Sequence, residues 1–361
     1  MLYHLFFPLK EYYSPLNIFQ YISFRSGGAI ITAIILSYLF TPVLIKYFRE
    51  RNISQEIRSD GPKSHINKKY IPTMGGVSIL LSMVVSTLLW ARINNRYILM
   101  VLGAVIFLGI VGFLDDYLKW VKKNSKGLPA KYKFLIQCLL AFAIALFLYH
   151  MPSNISHAND INIPYFKELY INLGAFYLLF MMLVIVGSSN AVNLTDGLDG
   201  LAIGNLIIAA LTYSVIAYLA GHVKFSSYLR IIPIAGAGEL SVFLATMVGA
   251  GLGFLWYNSY PAEVFMGDTG SLFLGGAIGV VAVIIKQELL LIIVGGVFVL
   301  EVISVILQVG SFKLRRKRIF KMAPLHHHFE LCGLSEPKIT IRFWIIGIIL
   351  ALLALSSLKV R

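Results

Sequence analysis

Between two strongly apolar runs lie eleven residues, Asn190-Ala-Val-Asn-Leu-Thr-Asp-Gly-Leu-Asp-Gly200, that carry two amides, a hydroxyl and two carboxylates. A glycine follows each of Asp196 and Asp199, so the backbone can turn tightly and present both carboxylates with little crowding. With Asn190 and Asn193, this oxygen-rich loop suits a Mg²⁺-phosphate or sugar-nucleotide ligand. The alternative is an ordinary polar turn with Asp199 capping the next helix.

Four more stretches carry similar chemistry. Gly112-Phe-Leu-Asp-Asp-Tyr-Leu-Lys119 sets Asp115 and Asp116 where an apolar helix meets water. Adjacent helical residues point about 100° apart, so one carboxylate suits chemistry and the other orientation; a solvated helix end closed by Lys119 is the plainer reading. Gly267-Asp268-Thr269-Gly270 stands directly before another apolar run. There Asp268, Thr269 and the first free N–H groups of a helix would form an anion or Mg²⁺-phosphate site, or Asp268 or Thr269 would simply cap the helix. His326, His327 and His328 follow a basic run. Three consecutive histidines cannot converge on one zinc in regular structure, so anion contact, proton transfer or lipid headgroup binding suits them better. Lys68 and Thr73 precede Gly75-Gly76 at a helix entry, where a lysine is electrostatically odd without a bound anion, unless it is only topogenic charge. Glu301 is a lone carboxylate deep in an apolar run, where burial costs about 2.5 to 3.5 kcal/mol on insertion scales. It must face a cavity or a neighbouring helix.

The elements that hold these groups are membrane helices. A 361-residue chain that is 58% hydrophobic and 13% charged, with mean hydropathy +0.79, is not an ordinary soluble enzyme, in which charged residues reach about 25%. The pattern predicts one all-α polytopic integral membrane domain over residues 1–361. Apolar runs of roughly spanning length fall at about 27–45, 75–90, 98–114, 132–150, 171–187, 201–220, 240–256, 271–285, 289–309 and 341–358. That gives ten helices, or nine if the short run 271–285 does not span. The aromatic first 21 residues lack the marks of a cleavable signal and read as an interfacial segment. Cys138 and Cys332 form no disulfide or zinc framework, and nothing resembles a nucleic-acid-binding module.

The net charge of +14 reports topology. Assigning alternate loops to the cytoplasm puts Lys46, Arg49, Arg51, Arg58, Lys63, Lys68 and Lys69 on that side. Lys119, Lys122, Lys123, Lys126, Lys131 and Lys133 join them, as do Lys313, Arg315, Arg316, Lys317, Arg318, Lys321, Lys338 and Arg342. These are 21 of the 31 lysines and arginines, and both termini then face out. The same parity places loops 187–200 and 257–270 inside, although neither carries Lys or Arg. A composite cytoplasmic-face active site follows: carboxylates to hold Mg²⁺, and cations to screen an anion attacking an anion, are the needs of phosphoryl transfer.

The set Pro72-Thr-Met-Gly-Gly76, Asp115-Asp-Tyr, Asn190 to Gly200, Phe265-Met-Gly-Asp268 and His326-His-His-Phe-Glu330, in this order, resembles the phospho-N-acetylmuramoyl-pentapeptide transferases. The likeness spans essentially the whole chain with no departure at a motif position. The aspartate motifs are those of the polyprenyl-phosphate N-acetylhexosamine-1-phosphate transferase superfamily, while the triple-histidine loop points to the muramoyl-pentapeptide branch. The resemblance implies transfer of phospho-MurNAc-pentapeptide from its UDP carrier to undecaprenyl phosphate in the bacterial inner membrane, giving lipid I and UMP for peptidoglycan, with Mg²⁺ as cofactor. It implies Asp268 as a Mg²⁺ ligand and Asp115 as base or nucleophile beside Asp116. Asn190, Asn193, Asp196, Asp199, Asn258 and Phe265 would line the nucleoside and diphosphate pocket. Lys68, Thr73, His326, His327 and His328 would contact phosphate and sugar, and the protein would be a homodimer.

A phosphate monoester has a second pKa near 6, so the lipid phosphate is mostly dianionic at neutral pH and needs a base only weakly. Single displacement is therefore expected. One diphosphate is exchanged for another, so the step should lie close to equilibrium. Two other readings compete: a sister transferase using UDP-GlcNAc, and a secondary transporter. Transporters place their costly charges near the midplane on broken helices, whereas here all but Glu301 lie at one surface.

Overall fold

A computed structural model of the chain describes residues 1–51, 53, 68, 71–122, 127–166 and 169–360. Its long elements are α1 (Ile22–Glu50), α2 (Gly76–Trp90), α3 (Arg96–Lys122), α4 (Ala130–His150), α5 (Phe176–Thr195), α6 (Leu201–Ala220), α7 (Gly238–Asn258), α8 (Gly267–Ile284), α9 (Gly296–Arg315) and α10 (Glu336–Val360). Short helices intervene at Leu2–Phe6, Val223–Leu229, Glu288–Val294 and Leu325–Leu331. Strands β1 (Asp160–Asn162) and β2 (Tyr170–Asn172) form an antiparallel hairpin. Helices dominate because hydrocarbon offers backbone N–H and C=O groups no partner, and a helix satisfies them within one segment.

Nine helices among the described residues are long and apolar enough to cross a membrane. The short one is not 271–285 but α2: its 15 residues rise only about 22 Å, against a hydrocarbon core of about 30 Å. The run 271–285 belongs to α8 as far as Ile284, and that helix has a full 18 residues. The run 289–309 is interrupted, because helix Glu288–Val294 ends at Gly295 before α9 begins.

Helix α8 is the axis of the bundle. Every residue from Thr269 to Ile284 is buried, and α3 and α5 pack along it. Small residues permit close approach: a Cβ on Gly249 or Gly253 of α7 would meet the backbone carbonyl of Ile30 or Ile34 in α1. By contrast α9 is largely exposed, with Leu300, Ile303, Ile306 and Leu307 outward, as a lipid-facing helix should be.

One end of the bundle carries Asp115, Asp268 and Glu336. At the other, the amino group of Met1 bonds Leu89 O at the C-terminal end of α2 and Lys359 meets Tyr228, so both termini lie opposite the aspartates. That far end is closed by Arg25 and Glu239, a buried two-bond pair at 2.6 Å for each bond. Of the topogenic cations, Arg58, Lys63, Lys69, Lys123 and Lys126 lie outside the described residues.

Candidate active site

Two close helix contacts build the site floor. A Cβ on Gly112 of α3 would fall 2.2 Å from Asp268 O, and one on Gly76 of α2 2.2 Å from Gly270 N. Only glycine lets α2, α3 and the start of α8 meet this closely. The chain before α2 clamps the entry to α8: Phe265 N donates to Pro72 O, Gly75 N to Phe265 O and Gly76 N to Met266 O, at 2.8, 2.8 and 2.9 Å.

The contact brings Asp115, Asp116 and Asp268 together, with one oxygen of each within 4.8 Å of the others. Asp115 and Asp116 are buried and Asp268 half-buried. Asp116 Oδ2 accepts from both Thr269 N (2.9 Å) and Thr269 Oγ1 (2.8 Å). The free donors at the start of α8 are thus met by a carboxylate from α3, and neither Asp268 nor Thr269 caps that helix with its own side chain. Asp115 Oδ1 takes Leu128 N at 2.7 Å, and its Oδ2 lies 2.7 Å from Lys119 Nζ. Asp268 Oδ1 accepts from Asn193 Nδ2 at 2.7 Å, and its Oδ2 from Lys119 (2.9 Å) and Lys133 (2.5 Å).

The loop after α5 lies beside this cluster. Asp196 keeps some surface open to solvent, yet the protein packed around it pushes its carboxyl up to about 8. The charges of Asp268, Asp116 and Asp199 add to that effect, against a bond from the Gly267 N–H. Hard carboxylate oxygens crowded to the point of mutual repulsion, with Asn193 alongside, fit a divalent oxophilic cation such as Mg²⁺.

A second cluster adjoins it. Asp199 Oδ1 meets Lys68 Nζ at 2.7 Å and its Oδ2 accepts from Ala262 N at 3.0 Å. The cap of α6 is instead Gly200, at φ +72°, with no side-chain bond, so Asp199 is not an N-cap. Lys68 also holds Glu336 Oε1 at 2.6 Å and lies 5.8 Å from the Phe265 ring centroid. Asn258 links two loops, accepting from Gly200 N and donating to Val264 O. Thr73 is buried against Gly267, whose φ of +72° brings the backbone beside Asp116.

Other expected site residues have their partners outside the aspartate cluster. Asn190 donates to Gln137 Oε1 (2.5 Å) and Val186 O (2.8 Å), not into the aspartate cluster. The histidines sit on the short helix Leu325–Leu331 and diverge: His326 faces Glu301, His327 Nδ1 meets Glu330 Oε2 at 2.8 Å, and His328 Nδ1 accepts from Lys321 N at 3.2 Å. Glu336, which meets Lys68, and Ser271, whose Oγ accepts from Asn193 Nδ2 at 2.8 Å, join the site without having stood out in sequence. Lys133 stood out only as one of the topogenic cations, with no signal that set it apart from its neighbours.

Residues 98–286 match the family described as glycosyl transferase family 4. The chain is 54% identical to a phospho-N-acetylmuramoyl-pentapeptide-transferase of Endomicrobium trichonymphae. It is 55% identical to the protein of that name from Citrifermentans bemidjiense and 53% to that from Thermodesulfovibrio yellowstonii, with the whole of each chain covered in all three cases.

Proposed function

We propose a mechanism on one premise: the chain belongs to the phospho-N-acetylmuramoyl-pentapeptide-transferase family, within glycosyl transferase family 4. It is a multi-pass bacterial membrane enzyme that makes lipid I for peptidoglycan. Its substrates are UDP-MurNAc-pentapeptide and a polyprenyl phosphate, which we take to be undecaprenyl phosphate. The observation that carries the mechanism is the meeting of Asp115, Asp116 and Asp268 under Lys119 and Lys133, beside the Asp196–Asp199 loop.

In this reading an oxygen of the lipid phosphate attacks the phosphorus that bears MurNAc. One P–O bond forms, the bond to the uridine-side phosphate breaks, and UMP leaves with the electron pair. Asp115, fixed through Leu128 N–H and Lys119, orients the lipid phosphate and takes the residual proton of its monoanion. Lys119 and Lys133 screen the charge of the two phosphates. Asp268, with Asp115 and Asp116 adjoining, would hold Mg²⁺, which supplies charge neutralisation on phosphate oxygens when bound. Lys68, Asp199, Asn258 and Phe265 bind the nucleoside end, Asn193 and Asp196 the diphosphate, and Thr73 and the histidines the phosphate and sugar. Asn190 supports Asn193 from one turn earlier on α5.

The aspartate cluster faces the cytoplasm and both termini face out, a reading supported by the basic loops; labelling of a cysteine placed at either terminus with an impermeant reagent tests it, and labelling only from inside would overturn it. The homodimer rests on the family likeness, and a single-copy mass in nanodiscs would refute it.

The decisive assay is UMP release by the purified protein supplied with UDP-MurNAc-pentapeptide, undecaprenyl phosphate and Mg²⁺. Asp268→Asn should lower kcat at least roughly a hundredfold, and chelation of the divalent cation should abolish release in the wild type. Activity that survives both would remove the metal role. Capture of a phosphorylated Asp115 would replace single displacement by a covalent route.

A further inference from the structure

Glu301 is fully buried in α9. Its Oε1 accepts from His326 N at 3.2 Å and stands 3.2 Å from His326 Nδ1, close to it though not aligned as a hydrogen bond. Its Oε2 has no partner among the described residues, and neither has either ring nitrogen of His326, itself 1% exposed. Orphaned buried polar atoms are costly and call for a cause. The ring lies against the loop that joins the two halves of the site: a Cβ on Gly197 would fall 2.3 Å from His326 Nε2. Asp196 on one side of Gly197 faces Asp268, and Asp199 on the other binds Lys68.

A carboxylate facing Nδ1 favours the tautomer with its proton there and leaves the Nε2 lone pair turned the opposite way. That direction is the Asp196–Asp199 loop. Accepting the His326 N–H in the first turn of helix Leu325–Leu331 uses only Oε1, and leaves the approach of the carboxylate to the ring to be explained. The broken helix before α9 is what aims this position inward: α9 starts afresh at Gly296, and only Gly296, Val297, Phe298, Glu301 and Ser304 of it are buried.

We propose that Glu301 is a positioning residue, which fixes the tautomer and orientation of His326 so that its buried Nε2 bears on Gly197 and sets the position of the Asp196–Asp199 loop. This rests on the functional reading above, in which that loop binds the substrate.

The test uses the full chain in detergent, with UMP release and the ¹⁵N-imidazole spectrum of His326, assigned by its loss in His326→Gln. Glu301→Gln should reduce kcat roughly ten- to a hundredfold with the KM for undecaprenyl phosphate unchanged. The same change made on top of His326→Gln should cost nothing further, since residues acting as one unit are not additive. The His326 spectrum should show the Nδ1–H form in the wild type and a mixture in Glu301→Gln. Gly197→Ala approaches the ring from the other side without removing a buried charge. It too should alter the spectrum and lose activity only where His326 is present. Wild-type turnover in Glu301→Gln, additive losses, or an unchanged spectrum in both variants would each overturn the proposal. If Glu301→Gln does not fold, Glu301→Asp, which keeps the charge and withdraws it from Nδ1, takes its place in the spectrum and in the cycle with His326→Gln, with the same outcomes deciding. A wild type that releases no UMP defeats the functional reading, while the spectra still decide the role of Glu301.

Discussion

Asp115 and Asp116 are neighbours in sequence and have different partners. Asp116 spends one oxygen on both the amide and the hydroxyl of Thr269, whereas Asp115 is held by Leu128 N–H and Lys119 at the edge of the cluster. Their substitutions should therefore fail differently. Asp116→Asn weakens the acceptor at the start of α8 and should lower thermal stability by about 1–3 kcal/mol along with activity. Asp115→Asn should leave the melting temperature near that of the wild type and still remove turnover. Equal melting behaviour in the two variants would contradict this division. The sequence carries part of this: one carboxylate for chemistry and one for orientation follows from the 100° step between helical neighbours. The partner of Asp116 does not, because Thr269 lies 153 residues away and its arrival depends on how α3 and α8 cross.

At the scale of elements, that crossing is set by Gly112. A methyl there would strike Asp268 O at 2.2 Å, while Gly103 on the same helix has nothing within 4 Å of an added Cβ. Gly112→Ala should push α8 off α3 and reduce UMP release by more than tenfold, with Gly103→Ala close to wild type. Comparable activity in both, measured in the assay above, would mean the contact does not set the geometry. Hydropathy made the helices legible because burial in lipid demands long apolar runs. It placed the second run at 75–90, where α2 ends at Trp90, but missed the break at Gly295, since an apolar run reads the same whether or not its backbone turns. The gathering of five aspartates on one side was legible from loop parity. Glu336 was hidden: it opens α10 and meets Lys68 and Asp199 N only through the fold.

Across the whole molecule, chemistry and anchorage occupy opposite ends, which also separates this protein from a transporter with charges at its midplane. The end away from the aspartates has its own ionisable cluster. Lys286 donates to Ala158 O at 2.6 Å and lies over the Tyr177 ring, and Glu288 accepts from Tyr177 Oη. Burial pushes the Glu288 carboxyl up to about 7 and the Lys286 ammonium down to about 8, each partly offset by the opposite charge of the other. The folded Glu288 holds a proton that the unfolded chain, at about 4.5, has released. Stability from this group is therefore lost as pH rises from about 4.5 through 7. The folded Lys286 has lost a proton that the unfolded chain keeps up to about 10.5, so stability returns as pH rises from about 8. The melting temperature in detergent should accordingly fall from pH 5 to 7 and recover above 8. Glu288→Gln, which can still accept from Tyr177, should flatten the first limb while leaving the KM for UDP-MurNAc-pentapeptide unchanged, because no atom of this cluster reaches the far end where Asp268 lies. A pH profile of melting that is identical in Glu288→Gln and wild type would show that this carboxylate is charged throughout.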